Sequence, residues 1–160
     1  MMIMTDSGRA AQAAAIAAQP LHFAWGEGDP AWDSLSAPPT PGLTALVAEV
    51  GRRLVVNPAF VVPDPAGEIV VPTGRFSQVA DPSPHLFLRV AFDFADDPSA
   101  TLREIGIFVG GRPKPELPPG QRYFDLVDLD TPGILLAVER FTAFPRSPAL
   151  RQIFEYVLSF

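Results

Sequence analysis

The chain contains no cysteine, which excludes disulfides, thiolate metal centres and cysteine nucleophiles together. Only two histidines occur, His22 and His85, and neither has a histidine nearby to suggest a metal-ligand pair. Runs of lysine and arginine are also missing. With a net charge of −6 and a pI near 4.8, the chain lacks the basic face of a nucleic-acid binder. No apolar run approaches the ~20 residues of a membrane span. The opening MMIMTDSGRAAQAAAIAAQ has the outline of a signal sequence. However, Arg9 follows Thr5, Asp6 and Ser7, and the later segment is weakly apolar alanine, so export by this route is not expected.

What the chain has in excess is proline, 19 of its 160 residues against a typical ~5%. Each removes a backbone donor, which confines it to loops, strand ends and edges. Hydrophobic residues make up 48% and charged residues 19%, so the chain is globular rather than disordered. Its length suits one domain over 1–160, with packing or assembly as the source of stability.

The strongest periodicity is at residues 86–94, where Leu86, Leu88, Val90, Phe92 and Phe94 alternate with Phe87, Arg89, Ala91 and Asp93. After the turn chemistry of Asp96-Asp97-Pro98-Ser99, the run Leu102 to Val109 is again extended. The two read as antiparallel neighbours at the centre of a small sheet. Around them, Thr5-Asp6-Ser7 offers an N-cap to an alanine-rich helix over 6–19, which Pro20 limits. Leu21 to Trp25 reads as a short strand ended by Gly26-Glu27-Gly28-Asp29-Pro30, and a Pro- and Ser-rich loop runs to about Pro39. Thr40-Pro41, with Leu43, Leu46, Val47 and Val50 at helical spacing and Gly51 as a stop, predicts a short second helix.

Arg52–Val56, Phe60–Val62 and Glu68–Thr73 read as strands, and 74–84 as irregular. Residues 20–109 thus form the core, 110–132 a proline-broken loop excursion, and 133–160 a C-terminal hairpin with Phe154, Tyr156, Leu158 and Phe160 on one face. No fixed-period repeat is present. The fold class is α+β, mainly β: a mostly antiparallel sheet or sandwich with an N-terminal helix, a short second helix and long Pro-rich loops.

No constellation marks chemistry. Asp93, Asp96 and Asp97, and likewise Asp125, Asp128 and Asp130, lack EF-hand spacing and read as turns and solvated edges. Gly26-Glu27-Gly28 is too short for a dinucleotide fingerprint. Nothing in sequence fixes the separation that Glu104 and Glu139 would need as a glycosidase pair. No catalytic residue, cofactor or metal ligand is therefore assigned. Trp25 and Trp32 are candidate sugar-stacking or interface anchors. Arg103 and Glu104 interrupt an apolar strand; they read either as exposed charges on an edge, or as an internal ion pair or subunit contact.

The segment Leu102-Arg103-Glu104-Ile105-Gly106-Ile107-Phe108 resembles the REIGLF segment of phage tail-collar and tail-fibre N-terminal domains. Phe23-Ala24-Trp25-Gly26-Glu27-Gly28 resembles their favGdG segment, and Leu43 to Arg53 a third region, all in the family's order. The resemblance covers roughly residues 5–110, and the final strands resemble the family's closing strands more loosely. It implies a non-enzymatic virion protein of the tail or baseplate, assembled in the host cytoplasm, that attaches tail fibre or neighbouring baseplate proteins and forms homo-oligomers. The interface candidates are Trp25, Trp32, Arg103, Glu104, Leu117, Tyr123, Phe154, Tyr156 and Phe160. A carbohydrate-binding β-domain using Trp25 and Trp32 is the alternative expectation.

Overall fold

The structure, a computed structural model, describes residues 1–160 except Ser36, so that position of the expected 31–39 loop lies outside the described residues. In chain order the elements are helix α1 (Asp6–Ala17) and strands β1 (Leu21–Gly26), β2 (Glu49–Leu54), β3 (Ala59–Pro63), β4 (Ile69–Val71), β5 (Gly74–Gln78) and β6 (His85–Phe92). After these come β7 (Thr101–Val109), β8 (Arg112–Pro113), β9 (Tyr123–Phe124), β10 (Leu129–Thr131), β11 (Ile134–Pro145) and β12 (Gln152–Ser159). Short 3-10 turns occupy Pro30–Asp33 and Leu126–Asp128. The mainly β class and the antiparallel pairing expected from sequence are both observed.

The residues group into two compact units: Met1–Gln19, Val55–Val90 and Ile153–Phe160 in the first, Pro20–Leu54 and Ala91–Gln152 in the second. In the first, α1 begins as the sequence predicts. The Thr5 hydroxyl accepts from the Gly8 amide at 3.1 Å, satisfying one of the helix's orphan donors. Strands order as β12-β6-β3-β5-β4, over a core of Val61, Val71 and Phe76 packed by Ile69, Phe87 and Val157. Residues 74–78, expected to be irregular, form β5. The Pro72-Thr73 turn returns the chain so that Val71 faces Gly74, and Phe76 is buried.

In the second unit the sheet order is β11-β7-β1-β2-β9, with a two-stranded β8–β10 ladder. All six residues of β1 are buried, as are eight of the nine in β7. The proline-rich stretch after Val109 contributes only the two residues of β8 to pairing, as its missing donors require.

Four expectations are corrected here. The strands around 86–94 and 102–109 are not neighbours: β6 and β7 lie in different sheets, and β1 holds the centre of β7's sheet. In the segment between them, Asp93 and Asp96 pair with Arg53. The period of two on β6 does bury Leu86, Leu88, Val90 and Phe92, but the strand ends at Phe92 and Phe94 is exposed.

The C-terminal hairpin is likewise absent, since β11 pairs with β7 while β12 neighbours β6. Nor does a helix form over 41–50. Glu49–Leu54 is instead recruited as β2 against β1, Leu46 packs on Ala24 and Phe108, and the Ala48 amide donates to the Glu104 carboxylate at 2.9 Å. Tertiary pairing outweighs a short helical pattern interrupted by Gly42 and by the β-branched Val47 and Val50. Gly51, expected to stop that helix, sits mid-strand opposite Trp25, where an added Cβ would overlap the Tyr123 side chain.

Candidate functional site

The residues singled out from sequence separate into interior anchors and partly exposed side chains. Trp25 has no exposed surface, which removes it as an interface or sugar-stacking residue. Its indole stacks on Phe92 with centroids 3.5 Å apart, and its Nε1–H donates to the Tyr123 hydroxyl at 3.0 Å. The Arg146 guanidinium lies 4.8 Å from the ring centroid. Tyr123 in turn donates a short hydrogen bond to Asp97. Burial pushes the Tyr123 phenol well above its ordinary range, and the Asp97 acceptor adds to the effect. Tyr123 is thus a hydroxyl bridge between core and loop.

That loop, residues 93–100, is held by three arginines, one of which, Arg151, pairs with Asp93 at 2.9 Å. Arg53 pairs with Asp93 at 2.8 Å and with Asp96 at shorter range. Arg146 donates to the carbonyls of Asp93 at 2.8 Å, Asp96 at 3.2 Å and Leu150 at 3.0 Å. Of the aspartates that in sequence hint at calcium, Asp93 and Asp96 are thus engaged with cations of the chain itself, Asp97 accepts from Tyr123, and Asp128 accepts from the Gln121 side chain at 3.2 Å. Among the described residues no group of three or more His, Asp or Glu side chains is arranged to hold a metal ion.

Arg103 and Glu104 are buried, at 9% and 1% exposure, so the exposed-edge reading fails; Arg103 makes an internal ion pair, with Asp33. Arg103 grips Asp33 through two hydrogen bonds of 2.8 and 2.7 Å and donates to the Glu27 carbonyl at 3.0 Å. The Arg103 bonds hold the Asp33 carboxyl below its usual range. Glu104 accepts from the Ala48 amide, fixing the chain where it enters β2. These contacts tie segments 56 to 76 positions apart. They position backbone, and offer neither a nucleophile beside a base nor a pair of free carboxylates.

Trp32 is half-buried in the Pro30–Asp33 turn, with the Arg140 guanidinium 4.0 Å from its ring centroid. One of its two faces is thus already covered. Leu117, Phe154, Tyr156 and Phe160 are all half-buried. Leu117 sits on the proline-rich loop and the other three on or beside β12. Sequence reasoning missed the buried Arg52–Glu49 pair, 2.7 and 2.8 Å, and the exposure of β11. For β11 the signal was available: Ile134-Leu135-Leu136-Ala137-Val138 is apolar at every position, so neither face is reserved for solvent.

Buried ion pairs inside, with apolar side chains displayed on loops and outermost strands, describe a β-rich domain. A family model described as "Baseplate wedge 3 tail fiber network component" matches residues 1–160, and the chain belongs to that family. It is accordingly a structural component of a phage baseplate. No curated protein matches the chain.

Proposed function

We propose that the protein is a non-catalytic adaptor within the phage tail, attaching tail fibre or neighbouring baseplate proteins and assembling as a homo-oligomer in the host cytoplasm before it enters the particle. The observation that carries the reading is the family match over the whole chain. It is supported by Arg52, Arg53, Arg103 and Arg146, which are engaged within the chain, while apolar groups remain at the surface. Val127, Ile134, Leu150 and Phe94 are each more than two-fifths exposed. Leu117 on the proline-stiffened loop, and Phe154, Tyr156 and Phe160 at the C-terminal strand, are the contact residues assigned to partners. Several modest contacts suffice in a particle, because each one after the first is effectively intramolecular.

The test is co-purification with neighbouring tail proteins, followed by incorporation into particles lacking this protein. Stable complexes and restored particles are expected; a permanently monomeric protein that never enters a particle would overturn the reading. Trp25 and Trp32 no longer recommend a sugar site, since the first is enclosed and the second is covered on one face by Arg140.

A further inference from the structure

The excursion over 111–132 has a glycine at each root. Gly110 and Gly133 both hold positive φ, 76° and 79°, a conformation that glycine adopts without steric cost. The two roots cross closely: a Cβ on Gly133 would stand 2.6 Å from the Gly111 nitrogen and from the Val109 carbonyl oxygen. Between the roots the chain pairs with itself through β8 and β10, and with the sheet through the two residues of β9.

Among the described residues of 111–132, only Gly111 and Phe124 are buried, and both lie against His22. Phe124 meets the imidazole edge-on at 5.8 Å, and a Cβ on Gly111 would stand 3.0 Å from its Nδ1. The sheet supplies the other walls. His22 lies opposite Leu54 of β2 and Phe108 of β7, and Arg52 shares their face with its guanidinium over the Phe108 ring. Arg52 and its partner Glu49 are the charged groups there, and both Glu49 carboxylate oxygens accept from Arg52. Leu54, Phe108, Phe124, Gly111 and the Pro132 carbonyl, which also accepts from Arg52, cannot ionise.

A proton on His22 would set a second cation beside Arg52, with no free carboxylate among these neighbours to receive it and both ring N–H groups buried. β1 is paired along both of its sides, so freeing the ring by dismantling the sheet breaks two ladders. Lifting its cover breaks only the short β9 pairing and the few side-chain bonds of Tyr123 and Arg52.

We propose that residues 111–132 form a flap that acid opens, hinged at Gly110 and Gly133, with protonation of His22 as the trigger. Opening leaves β2 as the outermost strand of its sheet and bares the face that carries His22 and Arg52. The free imidazole titrates near 6.5 and the covered one near 4, so proton linkage enlarges the opening equilibrium roughly thirtyfold between pH 7.5 and 5.0.

The Leu54 amide reports opening directly, because it donates to the Arg122 carbonyl of the flap at 2.9 Å. In the full chain its hydrogen-exchange protection, corrected for intrinsic exchange at each pH, is expected to lie at least tenfold below that of β7 amides at pH 7.5. It is expected to fall roughly thirtyfold by pH 5.0, and His22→Leu to abolish most of that fall. Phe124→Ala strips one cover and keeps His22; at pH 7.5 it is expected to lower Leu54 protection at least tenfold, with β7 still the better protected. Equal protection of Leu54 and β7 at both pH values overturns the flap, since the ring is then released only by global unfolding. The same fall in His22→Leu as in the wild type overturns the trigger. Unchanged Leu54 protection in Phe124→Ala overturns the inference whether or not the His22 variant folds.

Discussion

His22 makes the stability of this protein depend on pH in a direction and over a window that the structure specifies. The ring is fully buried on β1, with neither nitrogen hydrogen-bonded among the described residues. Phe124 meets it edge-on at 5.8 Å. Burial, and secondarily the Arg52 guanidinium, lower its pKa from 6.5 to about 4. Above pH 6.5 the ring is neutral in both folded and unfolded chains, and its contribution to stability is fully present. As pH falls below 6.5 the unfolded chain takes up a proton that the folded chain refuses, so stability drops until about pH 4. At ~1.36 kcal/mol per pKa unit the loss totals about 3 kcal/mol. Urea unfolding of wild type and His22→Leu at pH 8 to 4 measures it, because carboxylates that titrate in both proteins cancel in the difference. Wild type is expected to lose stability relative to the variant between pH 6.5 and 4. Parallel curves, or an imidazole resonance of His22 titrating near 6.5, would refute the reasoning.

Gly51→Ala places a Cβ 2.5 Å from Tyr123 Cζ, displacing the hydroxyl that links Trp25 to Asp97. About 2–4 kcal/mol of destabilisation is expected from overpacking plus a stranded indole N–H, read from the urea midpoint. Glu49→Ala leaves the 1%-exposed Arg52 side chain without its carboxylate, a loss of roughly 3–5 kcal/mol, and sodium chloride should restore little of it because the pair is buried. The Asp33 carboxyl is expected to titrate below its ordinary 3.8 by NMR, and to move back towards that value in Arg103→Met. An unchanged Asp33 titration in that variant would show that the two side chains do not pair in solution.

The local chemistry of this chain was legible; its long-range partnerships were not. Thr5 and Pro20 bracket α1 because capping and donor loss act within a few residues. The alternation on β6 was readable because one of its faces is buried and the other is not. The identity of each strand's neighbour is a different kind of information. β11 and β12 follow one another in sequence with turn residues between them, yet each finds its partner in a different sheet. The 43–50 segment illustrates the limit most clearly. Leucine and valine at i, i+3, i+4 and i+7 fit a helix, but the deciding group, the Glu104 carboxylate on the Ala48 amide, comes from 56 residues away. For the same reason Trp25 was read as an anchor for partners: its enclosure depends on Phe92, Tyr123 and Arg146, none of them near it in sequence.

Proline excess and arginine placement are two sides of one structural solution. A chain with 19 prolines and no cysteine has long connections that can neither be cross-linked nor pair continuously, and its loop carbonyls want donors that proline cannot supply. A guanidinium offers five N–H donors in a planar fork. Arg52 donates to the Pro132 carbonyl at 2.6 Å, Arg140 to Ala37 at 2.7 Å, Arg103 to Glu27 at 3.0 Å, and Arg146 to three carbonyls at once. Each arginine sits on or beside a strand and reaches into an irregular segment, so the strands hold the loops by side-chain donors where backbone ladders cannot. Three of these cations also lie over rings, Arg52 over Phe108 at 3.9 Å, Arg140 over Trp32 at 4.0 Å and Arg146 over Trp25 at 4.8 Å. Lysine conserves the charge but not the fork or the planar stack. Arginine-to-lysine exchange at these positions therefore loosens loops while leaving net charge unchanged, which separates loop anchoring from simple electrostatics as the reason the cations are there.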